Sequence, residues 1–216
     1  MGKVYILDGL SNHSRARDLK MRMSTRLLSF IGVMTALCVG TNYLLIGLLN
    51  VKFMDLFVFV SGYLTGSLSG ALVGILTWLV YGTLNPYGFN LPTLIATCIG
   101  ESIYGIAGGL CAKFGLSASF DRLTEKKFWE NNLKMGIIGF ILTFIYDLFT
   151  NIVTGVVFEV PLLLYIVAGI PFAVAHEVSN FFFFFLGGSI LVNAIQKVAL
   201  KGGEISWSKE AVGHGS

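Results

Sequence analysis

Four ionisable side chains lie within long apolar segments of the chain: Glu101, Asp147, His176 and Glu177. Placing a charged group inside a lipid bilayer costs at least ~2.5–3.5 kcal/mol on insertion scales. Such groups therefore face the interior of a helix bundle and are usually functional. Carboxylates and an imidazole at that depth can bind a polar ligand or relay protons.

Two of these carboxylates are predicted to reach a similar depth. Glu101 comes nine residues after Pro92, which places it ~14 Å along its helix at 1.5 Å per residue. Asp147 comes ten residues before Val157, or ~15 Å from the same surface. The two helices run in opposite directions, so both carboxylates can face one site.

Further polar residues share these helix faces. Tyr104 follows Glu101 by three residues, and Asn180 follows His176 by four, spacings that place side chains on one face. The sequence predicts a polar pocket open to the outside. Its predicted lining consists of Glu101, Tyr104, Asp147, Asn151, His176 and Asn180. The alternative is a set of interhelical hydrogen bonds, each contributing ~0.6–2 kcal/mol.

The composition indicates an integral membrane protein. The 216 residues are 55% hydrophobic and 12% charged, whereas a soluble domain carries about 25% charged residues. A net charge of +3 on so apolar a chain favours membrane orientation over nucleic-acid binding. The three cysteines lie in apolar segments without a CxxC pair, which is typical of free buried thiols.

The apolar segments divide the chain into helices. They cover residues 27–49, 51–84, 91–114, 135–157 and 162–198. The second contains a glycine every four residues from Gly62 to Gly74, and such spacing lets helices approach closely in lipid. This segment is either one long tilted span or two short spans that meet at residues 66–70.

The distribution of Lys and Arg favours two short spans. That topology puts 14 of the 15 basic residues on one side and only Lys52 on the other, and basic residues collect in the cytoplasm. We predict an all-α bundle of six transmembrane helices over residues 27–198. A basic tail (1–26) and a polar tail (199–216) are both cytoplasmic. The loops at 50–55, 85–92 and 158–161 are then external.

Two further segments suggest binding surfaces. The external segment 85–92 offers Asn85, Tyr87 and Asn90 to a ligand, although it also fits a plain turn. In the first span Gly32, Ala36 and Gly40 form a small face. That face packs either inside the bundle or against a second subunit.

No sequence motif indicates catalysis. The chain lacks GxxxxGK[ST], HExxH and GxSxG, so we predict no ATP hydrolysis, no enzyme activity, no metal and no cofactor. An intramembrane enzyme based on His176 and Glu177 is disfavoured, because adjacent helical residues diverge by about 100°.

The six-span plan, the small face GVMTALCVG and the segment GYLTGSLSGALVG together resemble the substrate-binding S component of energy-coupling factor (ECF) transporters. The resemblance covers residues 27–198. It implies a protein of the prokaryotic cytoplasmic membrane that binds a vitamin or related micronutrient near the outer face, beneath external loops. It also implies that Gly32, Ala36 and Gly40 contact a membrane T subunit, which couples to two ATPase subunits.

Thiamin or a thiamin precursor would fit what the resemblance implies, and riboflavin, queuosine precursors and cobalamin are the other candidate substrates. Glu101, Tyr104, His176 and Asn180 match the residue types of the thiamin-binding branch, and buried carboxylates favour a cationic or amine-bearing ring. The alternative function is a stand-alone proton- or ion-coupled carrier. It would use Asp147, Glu101 and His176 as a relay.

Overall fold

The described part of the chain is all-helical, as predicted. The computed structural model describes residues 25–86, 88–116, 118 and 126–201, with backbone only for 199–201. Within these ranges there are six helices and no strand. The helices are α1 (Thr25–Leu44), α2 (Met54–Thr65), α3 (Ser67–Leu84), α4 (Leu91–Lys113), α5 (Lys126–Val157) and α6 (Leu162–Lys201).

Five of these six helices are long and apolar enough to cross a membrane. The exception is α2, whose 12 residues extend ~18 Å at 1.5 Å per residue. A bilayer has a hydrocarbon core about 30 Å thick. The described helices are thus compatible with a multi-pass membrane bundle that contains one short helix.

The glycine-containing segment forms two helices, as the charge distribution predicted. The break lies at Gly66, whose φ of +96° is favourable only for glycine. The Gly66 amide donates to the carbonyl of Gly62 at 2.8 Å and closes α2. Residues 67–70 already belong to α3, so the turn is a single residue.

Glycines let α2, α3 and α4 touch at their backbones. A Cβ atom added to Gly62 would overlap the carbonyl of Gly105, and one added to Gly105 would overlap the backbone of Gly70. A Cβ on Gly74 would lie 2.9 Å from the carbonyl oxygen of Glu101. No side chain separates the three helices at these points, so their relative positions are fixed by backbone contact.

Helix α5 begins earlier than the apolar pattern predicted. Its first residue is Lys126 rather than Met135, so residues 126–134 are helical and continuous with the span. The added turns pack on α6: Asn132 is fully buried and its Oδ1 accepts a hydrogen bond from Ser189. Tertiary packing of this kind outweighs local polarity in setting the start of a helix.

The three loops predicted to be external meet at one end of the bundle. Residues 45–52, 85, 88–90 and 158 all line a single cavity there. Lys52 lies at this end, whereas Lys113, Lys126 and Lys197 lie at or near the opposite helix ends. Among the described residues, Lys52 is thus set apart from these other basic residues, as the predicted topology requires.

The small face of α1 is not packed inside the bundle. Added Cβ atoms at Gly32 and Gly40 would meet nothing within 4 Å, and Ala36 is exposed. The buried side of α1 instead carries Met34 and Cys38. In the described structure this face does not pack inside the bundle. It is exposed, as packing against a second subunit would require.

Candidate functional site

A histidine held between two aspartates forms the centre of the bundle. The Nε2 atom of His176 lies 2.6 Å from Asp55 Oδ2, and its Nδ1 lies 3.0 Å from Asp147 Oδ1. His176 and Asp55 are fully buried. A ring nitrogen must carry a proton to donate to a carboxylate, so both contacts are satisfied at once by the doubly protonated, cationic ring. The arrangement is a buried ionic triad joining α2, α5 and α6.

Hydrogen bonds from uncharged side chains connect this triad to a fourth helix. The side-chain amide of Asn180 donates both to Asp55 Oδ2 and to the hydroxyl of Thr143, the latter at 2.8 Å. The Tyr104 hydroxyl donates to the same Thr143 oxygen at 2.9 Å. Because Tyr104 belongs to α4, the network ties four helices together. We call the triad with Asn180, Thr143, Tyr104 and the adjoining Glu101 the acid–imidazole cluster.

Glu101 adjoins the triad from α4. It is fully buried, and its Oε2 accepts a hydrogen bond from the indole Nε1 of Trp78 at 3.1 Å. Its carboxyl group is close enough to the Asp55 carboxyl for the two to repel each other when both are charged. Among the described residues, neither Glu101 Oε1 nor Asp55 Oδ1 has a donor. A proton on either carboxyl group would relieve this repulsion.

Replacing Trp78 by phenylalanine tests the indole contact. The change keeps an aromatic ring but removes the donor to Glu101, so we expect a loss of about 1.5–3 kcal/mol of stability, as for hydrogen bonds to charged groups. Thermal unfolding of the purified protein in detergent measures it. Trp129→Phe, at a 41% exposed position, is the control, and equal losses in the two variants would refute the assignment.

A cavity of about 730 Å³ lies between the three clustered loops and the acid–imidazole cluster. Trp78 lines the cavity and also covers Glu101, so its indole separates the two. The polar side chains of the lining are Asn42, Asn50, Lys52, Asn85, Asn90, Thr93 and Thr97. The aromatic ones are Trp78, Tyr81, Phe89, Phe158 and Phe172. Mixed aromatic and polar walls around a volume of this size are typical of small-molecule sites.

The residues predicted for one pocket fall into two layers. The deep layer holds Glu101, Tyr104, Asp147, His176 and Asn180, all of them buried and none of them lining the cavity. Asn151 lies elsewhere on α5: it is half-buried, and its side-chain amide packs on Gly169 of α6.

The upper layer holds two of the predicted loop residues. Asn85 and Asn90 line the cavity. Asn90 also caps α4, its Oδ1 accepting the Thr93 amide at 3.1 Å, and the Asn85 amide donates to the carbonyl of Gly82 at 2.9 Å. Tyr87 lies outside the described residues. Both asparagines thus shape the rim through the helix ends that they close.

Sequence reasoning missed Asp55 and Lys52 as site residues. Both were assigned to an external loop, but Asp55 lies in the first turn of α2 and is fully buried. The available signal was an acidic residue directly before the apolar run LFVFV, a position where carboxylates favour a helix N-terminus. Lys52 could have been found as the single basic residue on its side of the bundle.

Comparisons of the chain with protein-family models, with curated proteins and with solved structures found no match. The functional interpretation therefore rests on the geometry of the cavity and the acid–imidazole cluster.

Proposed function

We propose that this protein is the substrate-binding membrane subunit of an ATP-driven, ECF-type uptake transporter for a vitamin or related micronutrient. The observation that carries the proposal is the cavity of about 730 Å³ at the end of the bundle where three interhelical loops meet. Pockets that hold small organic molecules have volumes of roughly 300–1,000 Å³. The chain itself would bind without catalysis, and the ATPases would be separate chains.

Two features support the proposed orientation and partners. The cavity lies at the end that carries only one described basic residue, Lys52, which fits an external face. The small face of α1 is open along Gly32, Ala36 and Gly40, and small residues permit close helix contact in lipid. A coupling membrane subunit would pack there. The proposed location is a prokaryotic cytoplasmic membrane with both termini inside.

Ligand identification tests the binding function directly. We expect mass spectrometry of the purified protein to detect a bound small molecule, and calorimetry to show stoichiometric binding of one compound from a vitamin panel. Thiamin and its pyrimidine precursor belong in this panel because the sequence suggested them. Absence of any bound molecule and of any binding across the panel would contradict the proposal.

A bulky residue on the small face should uncouple transport from binding. In Ala36→Leu the added side chain would hold a partner helix away, so we expect cellular uptake to fall at least tenfold, equivalent to about 1.4 kcal/mol of coupling, with unchanged ligand affinity. Ala168→Leu, at an exposed position of α6, is the matched control. Normal uptake by the Ala36→Leu variant would argue that this face has no partner.

The acid–imidazole cluster supports a second candidate, a stand-alone proton-coupled carrier. Asp147, His176 and Asp55 form a hydrogen-bonded chain of proton-binding groups, with the Glu101 carboxyl nearby. Such chains are a feature of intramembrane proton relays. Uptake into proteoliposomes that contain this protein alone, driven by a proton gradient, would favour the carrier. Uptake that requires added ATPase and membrane subunits would favour the transporter subunit.

A further inference from the structure

The charge that lines the cavity is positive. Lys52 is the one charged side chain among the described lining residues. Its ammonium lies 5.1 Å from the ring centroid of Trp78 and 5.4 Å from that of Tyr146. Aromatic faces stabilise an ammonium electrostatically but accept few of its three N–H donors. Within the described residues, Lys52 forms no ion pair.

The buried carboxylates nearest to Lys52 do not line the cavity and form no ion pair with its ammonium. Glu101 lies behind the Trp78 indole, which donates to it. Asp55 Oδ2 accepts from both His176 and Asn180. Neither carboxyl group lines the cavity. A cationic ligand would therefore meet an ammonium at the wall and find no carboxylate there.

Two residues that line the cavity each have a side-chain oxygen without a hydrogen-bond partner. Thr93 lines the cavity, and its buried hydroxyl has no hydrogen-bond partner among the described residues. Asn42 is only 3% exposed, and its Oδ1 is likewise without a donor. A ligand in the cavity would lie against the residues that carry these two unpaired oxygens. Leaving such groups unpaired in a buried site is unfavourable.

We propose that the cavity selects an anionic ligand, a planar ring compound whose carboxylate pairs with Lys52 and whose ring packs on the aromatic lining. This inference rests on the proposed binding function and specifies its substrate class. It is opposite in charge to the cationic ring suggested by the sequence. The difference arises because the carboxylates that suggested a cation already accept hydrogen bonds from His176, Asn180 and Trp78.

Matched ligands that differ only in charge test the proposal. The probes are nicotinate, nicotinamide and 3-picolylamine, together with indole-3-acetate, indole-3-acetamide and tryptamine, each at millimolar concentration with purified full-length protein. We expect the two carboxylates to raise the midpoint of thermal unfolding and the two amines to leave it unchanged. Any co-purifying ligand is identified by mass spectrometry in the same preparation and is expected to carry a carboxylate.

Variants at position 52 separate ligand pairing from a structural role. Lys52→Gln should weaken binding of the best carboxylate at least tenfold, the loss expected for a charge-assisted hydrogen bond, while Lys52→Arg should stay within a few-fold of the wild type. Lys126→Gln, at a side chain that is 92% exposed, is the matched control.

Four outcomes would overturn the inference. The first is stabilisation by the amines in preference to the carboxylates, and the second is equal affinity of wild type and Lys52→Gln for the best carboxylate. Either result would be compatible with the proposed binding function but would reject selection of an anionic ligand by Lys52. The third is absence of any ligand, bound or added, which would reject the proposed function and this inference together. The fourth is a Lys52→Gln variant that is less stable than the wild type without ligand but keeps the wild-type preference for carboxylates. This result would assign Lys52 to the acid–imidazole cluster instead.

Discussion

Replacing Gly105 by alanine is expected to destabilise the protein by about 3 kcal/mol or more, at the upper end of the range for overpacked cores. The new methyl group would overlap the backbone of Gly70 and the amide nitrogen of Ala71. Backbone atoms cannot rotate away as a flexible side chain would. In thermal unfolding this corresponds to a drop of roughly 6–12 °C for a chain of this length.

The control for Gly105→Ala is the same change at a glycine without neighbours. Gly40→Ala adds a methyl group that meets nothing within 4 Å, and alanine is the better helix former by about 1 kcal/mol. We therefore expect the midpoint of unfolding to stay the same or to rise. If Gly105→Ala were as stable as Gly40→Ala, the backbone contact between α3 and α4 would have to be abandoned.

The second large effect is expected from His176→Gln. Removing the cation leaves Asp55 and Asp147 buried and without their shared counter-charge, and breaking a buried ion pair costs about 3–5 kcal/mol. The measurement is again thermal unfolding in detergent, with circular dichroism to confirm that the helices form. A variant that aggregates during expression can be compared through its yield relative to the control.

Two additional variants distinguish loss of charge balance from loss of volume. Glu177→Gln changes the adjacent buried residue, which forms no hydrogen bond to the triad, and should have a small effect. The double variant Asp55→Asn with His176→Gln removes one stranded carboxylate and should recover part of the lost stability. Lack of any recovery would indicate that packing of the imidazole, rather than its charge, holds the helices together.

Hydropathy and charge were sufficient to predict the helical architecture. The split of residues 51–84 followed from the position of Lys52 relative to the other basic residues, and the break is indeed at Gly66. The apolar pattern did not show that α5 begins at Lys126, because residues 126–134 contain several lysines and asparagines. Their burial against α6, with Asn132 fully enclosed, is a tertiary contact that local composition does not encode.

The candidate site was predictable in membership but not in arrangement. Helical spacing indicated that Glu101 and Asp147 lie at similar depth, and both adjoin the acid–imidazole cluster. Depth along a helix does not give rotation about its axis, however, and rotation decides whether a side chain faces a cavity or another helix. Helical spacing therefore could not show that Trp78 covers Glu101, nor that Asp55 lies in the core at the start of α2.

The glycine contacts between α2, α3 and α4 have a mechanical consequence. With backbone against backbone, these three helices have no layer of side chains that can shear or repack, so they are expected to move as one rigid body. Asp55, Trp78 and Glu101 are all attached to it. Opening or closing of the cavity must then come from displacement of α1 or of the α5–α6 pair. The ionic link from His176 to Asp55 would then hold that pair to the rigid body, while Asp147 fixes the imidazole from within the pair.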